Sequence, residues 1–528
     1  MPAPIDRYPL LSRRQLLLTA GSGVMLAALA SPLHAEQPVL AGAAAGFPWD
    51  EVTATARDFV ARESPERVWP FERAAAAALE KSERKVFLHY FTPFPLSFDN
   101  KPVDDDYYRR QYLERAGENG KFAAVGGYLR ERPLSAGALP GPHWQAVNAA
   151  IDVLRAEKLG ADGFGVDLQE LARGRYWDQA TALFGAAEAS RTGFRILIEP
   201  DSDILKAVSA EQLVKSLVVL GQHPSAFRLA DGRLLLAPFA PEERPVAYWQ
   251  AVLDGLDKAG VASALLPVFN NLRANAQAFA PICYAMSEWG NRDPHSVDGD
   301  AAIAIWRRLG GERAIWMEAI APQDVRPKSS IFWESRNTEL FRRGWMKAIR
   351  EQAHHAHVIT WNDYSESTEI ALSSGTQFLF YDLSAYFIDW FKLGRPPRIL
   401  RDTIYYSHRR QLFEPGHPPR SDDKPLKLLG RGPVQNRVEL VALLTHPATL
   451  EIRQGDTVQR SDADAGLAVL QAPARLGRPV LRIVRDGKAA VEKASDWQIA
   501  DHPPAEDPLY VGGSSNRPFV RGGDWHQG

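Results

Sequence analysis

The chain has 528 residues, 45% hydrophobic and 24% charged, with a formal net charge of −2. That length exceeds one average domain and admits one large α/β unit plus a smaller module. The near-neutral balance gives no basic footprint, so nucleic acid is not an expected partner, and a single cysteine, Cys283, excludes an intramolecular disulfide.

The N-terminus, SRRQLLLTAGSGVMLAALASPLHA, sets Arg13 and Arg14 before an apolar run from Leu16 to Ala30. That run is shorter than the roughly 20 residues that cross a bilayer. Residues 1–35 therefore read as a removable export signal of the twin-arginine type. No stable membrane span is expected after cleavage, and the mature protein is expected in the periplasm or outside the cell. Residues 36–84 carry two helical patterns, WDEVTATARDFVAR and PFERAAAAALEKSER.

Eight apolar runs then alternate with amphipathic segments. They are KVFLHYF (85–91), ADGFGVDL (161–168), FRILIEPD (194–201), RLLLAPF (233–239), SALLPVF (263–269), ICYAMSEW (282–289), AIWMEAI (314–320) and HVITWND (357–363). Between them, HWQAVNAAIDVLRAEKLG and ELFRRGWMKAIREQAHH repeat apolar residues at helical spacing. Near-continuous apolar strands separated by helices predict an α/β fold of the (β/α)8 TIM barrel kind over 85–420. An open doubly wound sheet is the weaker alternative, because no Gly-rich phosphate loop follows the first strand. The long connection 91–140 is expected to fold over the barrel mouth. From about residue 421 to 500, short alternating strands such as NRVELVALL and PVLRIVRDG predict a small C-terminal β-sandwich, and 501–528 reads as a tail.

Chemistry in such a barrel sits at the C-terminal strand ends. Those ends offer His89 and Tyr90, Asp167, Glu199 and Asp201, Glu242, Asn270, Glu288 and Trp289, and Glu318. The last supplies Trp361, Asn362, Asp363, Tyr364 and Glu366. Asp203 competes as a helix N-cap in DSDILKAV. His354, His355 and His357 precede the last strand and are expected at the opposite, stability face. His89 has no second and third ligand at zinc spacing, so no metal and no cofactor are expected. Paired carboxylates without a cofactor fit glycoside hydrolysis, in which one acid protonates the leaving oxygen and the other activates water or attacks.

The blocks VFLHYFTPFPLS, GADGFGVDL, IEPDSD, HPSAFRLADGRLLLAPF, IFWESRNTELFRRGWMKAI and ITWNDYSES resemble glycoside hydrolase family 71, the endo-acting α-1,3-glucanases. The resemblance spans about 85–488 in matching order. It implies inverting hydrolysis of α-1,3-glucosidic bonds in a polysaccharide, with Asp363 and Glu366 as first candidates for the catalytic pair and Asp201 next. His89, Tyr90, Asp167, Asn270, Glu288, Trp289, Glu318, Trp361, Asn362 and Tyr364 are the expected substrate contacts. The chain departs from the family motif at Ser365, where Gly is usual, at Thr368–Glu369, and at Asp167. Rival readings are a related barrel glycosidase acting on another exopolysaccharide or an α-mannan, a noncatalytic carbohydrate-binding protein, and a deacetylase or lyase using His89.

Overall fold

The computed structural model describes residues 46–63, 68–297, 301–311, 314–501 and 504–520. The export signal read at 1–35 lies outside the described residues. Within them, no helix is long and apolar enough to cross a membrane.

Parallel strands form one nine-stranded sheet: β1 (Lys85–Tyr90), β2 (Gly163–Leu168), β3 (Arg195–Pro200), β4 (Leu234–Leu236), β5 (Ser263–Leu265), β6 (Val268–Phe269), β7 (Ala285–Glu288), β8 (Ile315–Ile320) and, after a short excursion, β11 (His355–Val358). Their order is β5-β4-β3-β2-β1-β11-β8-β7-β6. The two edge strands are halves of one run, 263–269, interrupted at Pro267, which has no N–H for a ladder. The first half pairs with β4 and the second with β7, while Val268 also bridges Phe239 beyond β4. The sheet therefore curls until its ends meet on the same stretch of chain.

Strand side chains alternate between two environments, as a period of two requires. Val86, Leu88 and Tyr90 of β1, Ile196 and Ile198 of β3 and Trp316 and Ile320 of β8 face the surrounding helices in the main core. Phe87, Leu197, Leu235, Met317 and Ile359 meet one another and Trp289 in a separate inner cluster. The helices Trp144–Lys158, Arg175–Ala189, Ala210–Gly221, Val246–Lys258, Leu272–Phe279, Glu339–Arg350 and Leu379–Leu393 follow the strands. The expected helical N-terminal segment is present as Trp49–Glu63 and Ala76–Lys81.

The excursion between β8 and β11 contains β9 (Val325–Arg326) and β10 (Ile331–Trp333). They form a small sheet with β13 (Lys427–Leu429), which follows β12 (Thr403–Arg409). Two four-stranded antiparallel sheets complete the chain. One has the order β17-β14-β12-β20 and the other β16-β15-β18-β19, with β14 (Arg437–Leu444), β15 (Ala448–Gln454), β16 (Thr457–Ala463), β17 (Gly466–Pro473), β18 (Val480–Arg485), β19 (Lys488–Ala494) and β20 (Tyr510–Ser514). Ile404, Leu440, Ile452 and Ile483 share a core between them, whereas Tyr405, Val441 and Leu443 turn the other way into the main core. The first sheet thus buttresses the parallel sheet directly. It begins with β12, before the boundary expected at 421, and ends with β20, where the sequence reads as a tail.

The connection 91–140 packs on the loop that follows β11. Phe91, Phe94, Tyr108, Leu113 and Leu129 enclose Tyr364, and Leu134 N donates to Leu372 O at 2.9 Å. Arg115 pairs with Asp423 at 2.6 Å, and Lys424 N donates to Ala124 O, which fastens the connection to the C-terminal part of the chain.

Candidate active site

All strands of the curled sheet run parallel, so their C-terminal ends share one side. The last strand ends at Val358, and the acid-rich stretch beyond it is a loop. Asp363 Oδ1 accepts from the Ser365 N–H at 3.0 Å, the Ser365 hydroxyl at 2.8 Å and the Glu366 N–H at 3.2 Å. These bonds wrap 363–366 into a tight turn about one carboxylate oxygen. Glu366 Oε1 lies 2.9 Å from an Arg326 guanidinium nitrogen, and Val325 N donates to Glu366 O at 2.7 Å. Arg326 also makes a two-nitrogen contact with Asp324, to which Arg292 adds a bond at 3.1 Å. Asp324, Arg326, Asp363 and Glu366 are all nearly inaccessible to solvent. A buried ionised carboxylate is stabilised by a paired cation, and the excursion between β8 and β11 supplies Arg326. The Lys328 ammonium donates to Ser365 Oγ at 3.1 Å and stands 5.5 Å from the centre of the half-buried Tyr128 ring.

Inside the curl, His89 from β1 places Nδ1 2.6 Å from Glu199 Oε2 of β3, and His357 Nε2 of β11 lies 3.1 Å from Glu199 Oε1. Burial works to raise the Glu199 pKa, but the charge and hydrogen bonds of His357 and His89 outweigh it and hold this carboxyl down at about 2. Trp289 meets the His89 ring edge-on at 4.8 Å and Phe239 at 4.5 Å. Asp167 faces the same interior, accepting from Gln169 Nε2 at 2.7 Å. Asp201 Oδ1 accepts from the N–H groups of Asp203 and Ile204.

Several expected contacts lie elsewhere. Tyr90 follows the inward His89, so it must point outward; its hydroxyl donates to Asp152 at 3.0 Å among the helices. Glu318 likewise faces outward, accepting from Lys347 at 2.8 Å and from Trp316 Nε1 at 2.8 Å. Trp361 is buried against Phe164 and Tyr381 in the helix-facing core and offers no platform. Asn362 spends its amide on the backbone of Phe91 and Phe94, and Tyr364 sits under the 91–140 connection. Asn270 and Glu288 are half-buried at the strand ends. DSDILKAV does not open a helix at Asp203: 202–207 is a series of turns, and the helix begins at Ala210 behind a capping box of Ser209 and Gln212. His355 and His357 belong to β11 rather than a surface helix end, and His357 faces inward. Arg326 and Arg292 escaped the sequence reading because the acids they meet, Glu366 and Asp324, lie far away in the chain. A cavity of 1220 Å3 lies at the other end of the sheet, bordered by Asp162 and Phe194, which precede β2 and β3.

The sequence profile of glycosyl hydrolase family 71 matches residues 142–507, more than half of the chain. The chain belongs to this family. It is 24% identical over 236 residues to the ascus wall endo-1,3-alpha-glucanase of Schizosaccharomyces pombe, a match covering 42% of this chain and 52% of that protein. It is 23% identical over 283 residues to the glucan endo-1,3-alpha-glucosidase agn1 of the same organism, covering 49% and 65%. The chain therefore spans about half to two thirds of the length of these curated relatives. Among solved structures it is similar to the GH99 endo-alpha-mannosidase from Bacteroides thetaiotaomicron, with a TM-score of 0.44 and 11% identity over 58% of this chain and 97% of that one.

Proposed function

We propose that this protein hydrolyses α-1,3-glucosidic bonds of a polysaccharide with inversion, using Asp363 and Glu366 as its two carboxylates. The observation that carries the reading is the pair itself: two acids on one turn beyond the last parallel strand, one ringed by N–H and O–H donors and the other 2.9 Å from Arg326. A carboxylate kept beside a guanidinium suits the base that takes a proton from water, so Glu366 is assigned that role and Asp363 protonates the leaving oxygen. The α-1,3 linkage is drawn from family membership and from the names of the two yeast relatives.

In this reading the curled sheet is a closed (β/α)8 barrel, supported by the pairing of 263–269 on both sides, and the two C-terminal sheets form a β-sandwich. The sugar lies over His89, Asp167 and Trp289, with Asn270, Glu288 and Asp201 around it. The export signal read at 1–35 would deliver the enzyme to the periplasm or beyond.

The test is incubation of the protein from Glu36 onward with insoluble α-1,3-glucan, recording soluble products and the anomer first released. β-Anomeric oligosaccharides are expected. Release of the α-anomer would overturn inversion, and a folded protein that releases nothing would overturn the linkage. A substrate with an activated leaving group should restore turnover to Asp363→Asn but not to Glu366→Gln, which separates acid from base.

A further inference from the structure

The inner face of the curled sheet carries an ionisable group that the two-carboxylate mechanism does not use. Glu199 is fully buried, its two oxygens face two histidines on different strands, and its other inner neighbours include Phe87, Leu197 and Trp289. The site is built to admit it. Gly165 stands on the adjoining strand at the inward position, and a Cβ there would lie 2.2 Å from Glu199 Oε1. The glycine is therefore required by the carboxylate rather than by a turn.

Two His nitrogens and a carboxylate oxygen within 4.8 Å of one another also form a donor set that metals use. The spacing favours a different arrangement. Ligand atoms around a tetrahedral zinc stand roughly 3.3 Å apart, given bonds of about 2.0 Å. The His89 Nδ1 to Glu199 Oε2 separation is 2.6 Å, the length of a charge-assisted hydrogen bond. A ligating His357 would also donate its second nitrogen to an outer partner, yet His357 Nδ1 has none.

We propose that Glu199 and His357 are positioning residues that hold His89 with its proton on Nδ1, so that its ring, buried edge-on against Trp289, is fixed to meet a hydroxyl of the sugar undergoing cleavage once the sugar enters the mouth. Glu199 accepts the Nδ1 proton of His89, which fixes both ring orientation and tautomer, as a buried carboxylate does for a catalytic imidazole. His357 supplies a second contact that keeps the carboxylate from rotating, and Gly165 leaves it room. His89 then acts as a hydrogen-bond partner whose contact is made best in the transition state, when the bonds to sugar hydroxyls strengthen. This proposal rests on the glycosidase reading for its substrate, but not for its tautomer.

The experiment is therefore run in two arms on the full exported chain. In the first, histidine is labelled with 15N and multiple-bond 15N–1H spectra identify which ring nitrogen of His89 carries hydrogen, His89→Gln supplying the assignment. Nδ1 should be protonated in the wild type and lose that preference in Glu199→Gln. In the second arm, turnover of α-1,3-glucan by Glu199→Gln should fall about 100-fold in kcat with little change in KM. If Glu199→Gln does not fold, His357→Gln and His357→Phe replace it. The glutamine, which keeps a donor for Glu199, should retain most of the wild-type kcat, and the phenylalanine should lose it. Absence of glucan turnover in the wild type would sink the glycosidase reading while leaving the spectra to decide the tautomer. A His89 signal indifferent to Glu199→Gln would overturn the proposal. So would one equivalent of tightly held metal in elemental analysis of the purified protein.

Discussion

Asp363, Glu366 and Glu369 follow one another at three-residue spacing on one loop, and all three are buried, yet they belong to two unlike regions. The first two sit among cations and donors: Arg326 touches Glu366, and the Ser365 and Glu366 N–H groups cap Asp363. Glu369 turns the opposite way, toward Glu131 of the 91–140 connection. Burial first, then the charge of Glu131, pushes its pKa well above the usual carboxylate range. Glu131 is raised too, chiefly by burial, while Ser373 donates to it at 2.6 Å. Identical chemistry in the chain thus becomes two acids held by a cation and by hydrogen-bond donors on one side of the loop and a carboxyl pair holding at least one proton on the other. Charge state here is a property of the partners each acid meets, and spacing along the sequence does not reveal it.

The largest effect should come from breaking the half that meets Arg326. Asp363→Asn and Glu366→Gln should each lower kcat by about 10³–10⁴-fold, the upper range for general acid–base work, with unchanged circular dichroism. Glu369→Gln, on the same loop, should stay within about threefold of wild type in the same assay, because an amide replaces a group that is already uncharged. Equal losses at all three positions would erase the distinction. Next in size is Arg326→Met, which removes the cation shared by Asp324 and Glu366. Leaving buried charge unpaired costs about 3–5 kcal/mol, readable as a lower midpoint in urea unfolding.

How much of this was legible beforehand follows from the same contrast. The eight apolar runs foretold the strands because burial on both faces leaves a continuous hydrophobic signature, and the acids after them marked the right end of the sheet. Parity was available as well: with His89 inward, Tyr90 had to face out, and the same count assigns Glu318 to the helix side. That count stops at Val358, where β11 ends, so nothing local revealed that Trp361, Asn362 and Tyr364 serve packing and loop clamping. The strand begins at His355, two residues before the apolar run HVITWND, so His357 is a full inward strand position rather than a residue ahead of the strand. Arg326 and Glu131 were invisible as partners, since 40 and more than 200 residues of chain separate them from Glu366 and Glu369.

The protonated half can be tested by pH. A carboxyl whose folded pKa lies above its unfolded value contributes stability that is complete below the unfolded pKa, about 4.3 for Glu, and is lost as pH rises through the folded one. Wild type should therefore lose stability relative to Glu369→Gln as pH rises above about 4.3, measured by urea midpoints at pH 4, 6 and 8. A constant difference across that range would mean that Glu369 is already ionised in the folded protein.

The smallest expected effect lies between the two regions, at Tyr128. Its ring stands 5.5 Å from Lys328, which donates to Ser365 beside Asp363, and stacks on Phe122 at 4.4 Å. The ring is half-buried, and the nearby Phe98, Tyr107 and Tyr112, themselves half-buried, continue from it as one aromatic wall. Removing an aromatic partner of this kind is worth about 0.5–1.5 kcal/mol, or roughly a 2- to 12-fold weakening of binding. Tyr128→Ala should accordingly raise KM for glucan oligosaccharides by that factor, while kcat stays near wild type because Asp363 keeps its bonds from the Ser365 and Glu366 N–H groups and Glu366 keeps Arg326. A fall in kcat at constant KM would instead put Tyr128 with the reacting carboxylates, and the wall would belong to the chemistry rather than to the binding of the chain.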